Sequence, residues 1–150
     1  MAPQRHICAS IDSRLWPARM PSRRSCGTIA QLARPTVLIV DDHAAFRQAT
    51  TALLEAEGFR VVGEAANGEE AIRAVALLRP EVVLLDIQLP RLDGLEVAER
   101  LAARSDPPAI VLISSRSAAS YGLRLQRSPA KGFVSKEVLS GQAIAALLAP

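Results

Sequence analysis

Three aspartates stand at the C-terminal ends of two apolar runs. Asp86 follows the run 82–85, and Asp41 and Asp42 follow the run 37–40. We interpret both runs as buried parallel strands, whose carboxyl ends meet at the edge of a sheet where ligands bind. Carboxylates about 4 Å apart repel each other by roughly 4 kcal/mol per pair at an effective dielectric constant near 20. A divalent cation such as Mg²⁺ would relieve this repulsion; the alternative is three solvated acidic loop residues.

Composition indicates one globular domain preceded by a basic segment. The chain has 150 residues, of which 49% are hydrophobic and 22% charged, values typical of a single folded domain. Residues 1–35 carry six arginines and one aspartate, whereas residues 36–150 carry twelve basic and fourteen acidic residues. The mildly acidic second part argues against nucleic-acid binding by that part.

We predict that residues 1–35 form a disordered, arginine-rich tail, or sequence translated ahead of a true start such as Met20. A transit peptide or a DNA-grasping arm is the alternative. Cys8 and Cys26 lack the paired spacing of a zinc site or disulfide framework. No apolar run approaches eighteen residues and no signal peptide is evident, so we expect a cytoplasmic protein without membrane contact.

From residue 36 onward, short apolar runs alternate with helical patterns, which is typical of an α/β fold with a parallel sheet. One helix is expected after Asp42 until Gly58 stops it, and a second opens at Asn67–Glu70 and is ended by Pro80. Further helices are expected around 95–101 and at about 140–149. A poor fourth helix, short or mobile, is expected within 117–127 because its helix propensity and periodicity are weak. The predicted strands are 36–40, 60–65, 82–86, 109–113 and 132–134.

With these elements placed, the chain resembles the CheY-like receiver domain of two-component response regulators over about residues 36–148. The resemblance rests on four motifs: Val-Asp-Asp-His at 40–43, D-x-x-x-P-x-x-D-G at 86–94, Ser114, and Phe-Val-Ser-Lys at 133–136. The residues around Asp41 are most similar to receivers of the LuxR-type helix-turn-helix subfamily. The resemblance implies a doubly wound, five-stranded parallel sheet in the flavodoxin-like order 2-1-3-4-5.

The resemblance also implies a phosphorylation site. Asp86 would accept a phosphoryl group from a sensor histidine kinase or a phosphotransfer protein. Mg²⁺ would be held by Asp42, Asp86 and the backbone carbonyl of Gln88, while Asp41 would take part in the metal site through a bound water. Lys136 would contact the carboxylate and later a phosphoryl oxygen.

Further residues would carry the signal away from the phosphate. Ser114 and Phe133 resemble the family's switch pair, which would alter the surface formed by the fourth helix, fifth strand and fifth helix for a downstream protein. The alternative for this pair is a strand-end serine beside a core aromatic. Pro90, Asp93 and Gly94 would shape the loop after Asp86, or serve as ordinary turn residues.

Three residues in or beside these motifs carry expectations of their own. We expect His43 to be the first residue of a helix and not a metal ligand, because residues 36–150 contain no second histidine. The resemblance implies that Arg116 and Gln88 would stand at positions that tune how water reaches the phosphoryl group.

Our leading hypothesis is a stand-alone receiver, with no enzymatic activity beyond self-catalysed transfer to its own aspartate. The second is the receiver of a transcription factor that has lost its helix-turn-helix domain by truncation. A third is a haloacid-dehalogenase-like phosphatase, which is disfavoured because Gln88 stands where that family has a second aspartate and the chain is too short for a cap domain. Dinucleotide binding is disfavoured because no G-x-G-x-x-G follows the first strand.

Overall fold

The structure, a computed structural model, describes residues 34–150. The predictions for residues 1–33, including those for the cysteines, lie outside these residues. The strands are Thr36–Val40 (β1), Arg60–Ala65 (β2), Val82–Asp86 (β3), Ala109–Ser114 (β4) and Gly132–Ser135 (β5). The helices are Ala44–Ala56 (α1), Gly68–Leu78 (α2), Gly94–Ala102 (α3), Leu123–Gln126 (α4) and Gly141–Leu148 (α5), with 3₁₀ turns at Ala118–Ser120 and Lys136–Val138.

The strands of the described part form one parallel sheet in the order β2-β1-β3-β4-β5. This confirms the predicted α/β fold and strand order. The first three strands have the predicted bounds, while β4 and β5 each extend one residue further, to Ser114 and Ser135. In this order the carboxyl ends of β1, β3 and β4 are adjacent, so the residues that follow them meet at one edge.

Two core layers cover the two faces of the sheet. Alternate residues of β1 such as Leu38 and Val40 pack with buried residues of α2 and α3 on one face. Val37 and Ile39 pack with buried residues of α1 and α5 on the other. Because the central strands are buried on both faces, their sequences are continuous apolar runs.

Side-chain caps fix where three helices begin. The side chains of Asn67, Asp93 and Ser140 accept hydrogen bonds from backbone N–H groups three residues later, at 2.9, 3.0 and 3.0 Å. Each such cap contributes about 1 kcal/mol.

His43 stands at the corresponding position before α1 without a side-chain cap, and the helix begins at Ala44. The prediction that His43 is the first helical residue was therefore wrong by one position.

The segment after β4 has little regular structure. One 3₁₀ turn and the four-residue helix α4 span the stretch predicted as a poor helix, and neither contains a buried residue. The expectation of a short fourth helix is confirmed.

None of the helices within residues 34–150 is long and apolar enough to cross a membrane.

Candidate functional site

Hydrogen bonds fix the position of Asp41 at the start of the loop after β1. The side chain of Asp41 is fully buried, and its Oδ1 accepts a hydrogen bond from the backbone N–H of His43 at 2.8 Å. Arg47 donates to the Asp41 carbonyl oxygen at 2.7 Å and to the Glu64 carboxylate at 2.9 Å. This arrangement fixes the backbone of Asp41, while the neighbouring Asp42 side chain is 36% exposed.

Asp86 ends β3 beside this loop. Its side chain is only 2% exposed, and its Oδ1 accepts a hydrogen bond from the backbone N–H of Gln88 at 3.0 Å. The next residue, Ile87, donates its N–H to the carbonyl oxygen of Ile113 at 3.0 Å, which ties the loop to β4. A carboxylate thus lies buried at the sheet edge with one oxygen held by the backbone.

Lys136 connects the two buried carboxylates. Its Nζ lies 2.5 Å from Asp41 Oδ2 and 3.2 Å from Asp86 Oδ2. The ammonium also lies 4.5 Å from the centre of the Phe46 ring, a cation–π distance. One positive charge from the end of β5 therefore faces two negative charges.

Burial dominates the electrostatics of Asp86. It raises the pKa of Asp86 to about 6, and the charge of Asp41 acts in the same direction, while the Gln88 N–H and Lys136 oppose the shift. Burial alone would lower the pKa of Lys136, but its hydrogen bond with Asp41 and the charge of Asp86 outweigh that effect and raise it. The lysine is therefore held as a cation between the carboxylates.

The acidic cluster has the donor set of a Mg²⁺ site. One ligand atom each from Asp41, Asp42 and His43 lie within 4.8 Å of one another. Asp41 Oδ2 is buried, and the Lys136 ammonium lies 2.5 Å from it. Carboxylate oxygens at a sheet edge suit a hard divalent cation, so the carboxylates of Asp41 and Asp42 fit Mg²⁺.

Sequence reasoning missed the side-chain contacts of His43. Its Nδ1 lies 3.3 Å from Asp41 Oδ1 and 3.0 Å from Asp42 Oδ1. The sequence did carry one signal for these contacts: His43 directly follows two aspartates, so its side chain can turn back toward them. The expectation that His43 is not a metal ligand stays a prediction, as does the ligand role of the Gln88 carbonyl.

The loop between β3 and α3 contains Pro90, Asp93 and Gly94. The Pro90 carbonyl accepts from Leu92 N–H at 2.8 Å, and Gly94 N–H donates to the Ile87 carbonyl at 2.8 Å. A Cβ at Gly94 would overlap the carbonyl oxygen of Asp86 and the Cα of Ile87. Only glycine allows the chain to pass this close to the site.

Asp93 is held by two hydrogen bonds. Its Oδ1 caps α3, and its Oδ2 accepts from Arg124 of α4 at 2.8 Å. Partial burial raises the pKa of Asp93, but the hydrogen bonds from Arg124 and the Glu96 N–H lower it below its usual value. The carboxylate therefore links the loop after β3 to α4.

Ser114 ends β4 and is fully buried. Its Oγ accepts a hydrogen bond from Arg116 N–H at 3.0 Å and lies 2.6 Å from the hydroxyl oxygen of Tyr121. The Tyr121 ring packs against Phe133, with ring centres 6.4 Å apart and planes inclined by 54°. Sequence reasoning placed Ser114 and Phe133 but missed Tyr121, although it is the chain's only tyrosine and stands in a segment with weak periodicity.

The fold and site together define a flavodoxin-like α/β domain with a buried acidic site at the carboxyl edge of its sheet, contacted by a lysine from the last strand. The chain belongs to the response regulator receiver domain family, whose sequence model matches residues 37–148. Family membership confirms the resemblance drawn from the motifs and sets aside the haloacid-dehalogenase alternative.

The chain is similar to curated regulators and to the solved structure of a response regulator. The chain is 41% identical over 106 residues to the positive alginate biosynthesis regulatory protein of Pseudomonas aeruginosa. The aligned region covers 69% of this chain and 42% of that protein. It is 40% identical over 100 residues to BvgA of Bordetella pertussis, covering 67% and 48%. A LuxR-family response regulator structure from Aurantimonas sp. SI85-9A1 is 28% identical with a TM-score of 0.70, covering 77% and 86%. The chain spans about half the length of the curated relatives it matches.

Proposed function

We propose that the chain is a receiver of a two-component phosphorelay in which Asp86 accepts the phosphoryl group. An Asp86 carboxylate oxygen forms a bond to phosphorus, and the phosphorus–nitrogen bond of a phosphohistidine on a histidine kinase or phosphotransfer protein breaks. The leaving imidazole nitrogen keeps the electron pair and takes up a proton. This step requires positioning and charge neutralisation more than covalent chemistry from the protein.

The single observation that carries the proposal is the pair of contacts made by the Asp86 carboxylate. The Gln88 N–H holds Oδ1 at 3.0 Å, and the Lys136 ammonium lies 3.2 Å from Oδ2. A buried carboxylate oriented in this way at the carboxyl edge of the sheet can present an oxygen to an incoming phosphorus. The ammonium stands where it can contact the added phosphoryl oxygens.

The remaining acidic residues support a magnesium requirement. Asp41, Asp42, Asp86 and the backbone carbonyl of Gln88 would hold Mg²⁺, which when bound would neutralise charge on the transferring group. Lys136 balances only part of the negative charge of the cluster. The chain's own contribution is to keep these oxygens fixed, as the Arg47 hydrogen bond to the Asp41 carbonyl illustrates.

Ser114 and Phe133 would convert phosphorylation into a surface change. A serine hydroxyl at the end of β4 can donate to a phosphoryl oxygen on the neighbouring strand end. Phe133 is half-buried beside Tyr121, so a shift of the β4–α4 loop changes its packing. The affected face comprises α4, β5 and α5, and we propose that a downstream protein binds there.

Incubation of the full chain with acetyl phosphate and Mg²⁺, followed by intact mass measurement, tests this function. The parent should gain the mass of one phosphoryl group, and Asp86→Ala should gain none. Asp93→Asn is the matched control, because asparagine keeps the helix cap, and it should still gain the group. A full increment in Asp86→Ala, or none in the parent, would refute the proposal.

A second candidate is the receiver half of a DNA-binding transcription regulator. The observation that favours it is the match to longer proteins, including the positive alginate biosynthesis regulatory protein. The gene sequence beyond codon 150 tests this candidate. A continuous frame encoding a helix-turn-helix would support it, and a frame without one would favour a stand-alone receiver.

A further inference from the structure

The buried hydroxyl of Ser114 has two hydrogen-bonding neighbours. The backbone N–H of Arg116 donates to Ser114 Oγ at 3.0 Å, and the Tyr121 hydroxyl oxygen lies 2.6 Å from the same atom. The second distance is at the short end of the range for hydrogen bonds between oxygens. The serine is fully buried, and either hydroxyl of the pair can be the donor.

The relative acidities of the two hydroxyls favour one direction for the hydrogen bond between them. A serine hydroxyl offers one proton and two lone pairs, and the Arg116 N–H, which only donates, occupies one lone pair. A phenol is a much stronger acid than an aliphatic alcohol and is the better donor of the two. Tyr121 is therefore the favoured donor to the second lone pair, an arrangement that leaves the Ser114 proton without a partner among these groups.

We propose that Tyr121 is a positioning residue that orients the Ser114 hydroxyl for donation to the phosphoryl group. Phosphoryl oxygens only accept hydrogen bonds, so Ser114 can bind them only with a proton that no neighbour uses. Tyr121 and Arg116 together fill the acceptor capacity of the serine and leave that proton available. This inference rests on the proposed function.

The surroundings of Tyr121 hold its hydroxyl in place. The ring packs against Phe133 with centres 6.4 Å apart, and the backbone N–H of Tyr121 donates to the Ala118 carbonyl at 3.1 Å. Three residues further on, Arg124 donates to the Asp93 carboxylate at 2.8 Å. The segment with few regular hydrogen bonds is thus tied at the aromatic pair and at the loop after β3.

Calorimetric titration of the full chain tests the proposal. The ligand is beryllium fluoride, a phosphoryl mimic that does not react, and Mg²⁺ is present at saturation. Tyr121→Phe keeps the ring and removes only the hydroxyl, so it should weaken binding of the mimic by roughly three- to tenfold, the size of one neutral hydrogen bond. Its Mg²⁺ affinity should not change, because Ser114 does not belong to the metal cluster.

The variant Ser114→Ala supplies a control that separates a positioning role of Tyr121 from a merely structural one. In that background, Tyr121→Phe should have no further effect on the mimic, because the hydroxyl that it orients is gone. Equal or tighter binding by Tyr121→Phe alone would overturn the proposal, as would the same loss in both backgrounds. Absence of binding by the parent would instead refute the proposed function.

A measurement on the unmodified protein tests the direction of the bond. Tyr121 is the only tyrosine in the chain, so an ultraviolet resonance Raman spectrum reports its hydroxyl alone. We expect the signature of a donating tyrosine hydroxyl. The signature of an accepting hydroxyl would overturn the proposal even if the variants failed to fold, because the serine proton would then be used by Tyr121.

Discussion

Without metal, the buried carboxylate of Asp86 should make the protein less stable as the pH rises, and Asp86→Asn should remove that loss. The Asp86 side chain is 2% exposed, and burial raises its pKa from 3.8 to about 6. Because the folded pKa is above the unfolded one, the folded state binds the proton more tightly. The resulting stabilisation is fully present below about pH 4 and is lost as the pH rises through about 6.

The magnitude follows from the size of the shift. Two pKa units at about 1.36 kcal/mol per unit give roughly 3 kcal/mol over the whole range, of which about half falls between about pH 5 and pH 8. Asparagine has no such titration. The free energy of unfolding of Asp86→Asn should therefore rise relative to the parent by roughly 1.5 kcal/mol over that interval.

Urea unfolding in EDTA at several pH values measures this difference. Asp42→Asn is the matched control, because it removes a charge from the same cluster at a side chain that is 36% exposed. It keeps the Asp86 carboxyl group and should therefore retain the parent's loss of stability with rising pH. Parallel pH profiles for the parent and Asp86→Asn would refute the argument. A difference that shrinks with rising pH would refute it as well.

Three further predictions concern the metal, the switch and the loop. Millimolar Mg²⁺ should raise the melting temperature of the parent but not of Asp42→Ala, since a hundredfold excess over Kd stabilises by about 2.7 kcal/mol. Ser114→Ala should still be phosphorylated. On phosphorylation, however, the hydrogen-exchange rates around Phe133 and in the segment 117–127 should change less than they do in the parent. Gly94→Ala should lower the free energy of unfolding in urea by about 1–3 kcal/mol, because its Cβ would overlap the neighbouring backbone.

Much of the fold was predictable because the central strands are buried on both faces. The runs ending at Asp41 and Asp86 are continuously apolar for that reason, and their ends locate the carboxylates without knowledge of any contact. The adjacency of the strand ends then follows from parallel topology. Lys136 was placed in the same way, by its position after β5 and the motif that contains it.

Other parts of the site were not predictable from local pattern. The contact between Tyr121 and Ser114 depends on the path of an irregular segment, which neither helical nor strand periodicity specifies. The ion pair between Arg124 and Asp93 likewise joins α4 to the loop after β3, across 31 positions of the chain. Such contacts arise from tertiary packing, so a single sequence carries little signal for them.

The most direct test of the central claim is chemical location of the phosphoryl group. Borohydride reduces an aspartyl phosphate to homoserine, and peptide sequencing of the phosphorylated, reduced chain then identifies the modified position. We predict homoserine at position 86 and aspartate at positions 41 and 42. Homoserine at either of the other two positions, or a phosphorylated chain without homoserine, would contradict the assignment of Asp86 as the phosphoacceptor.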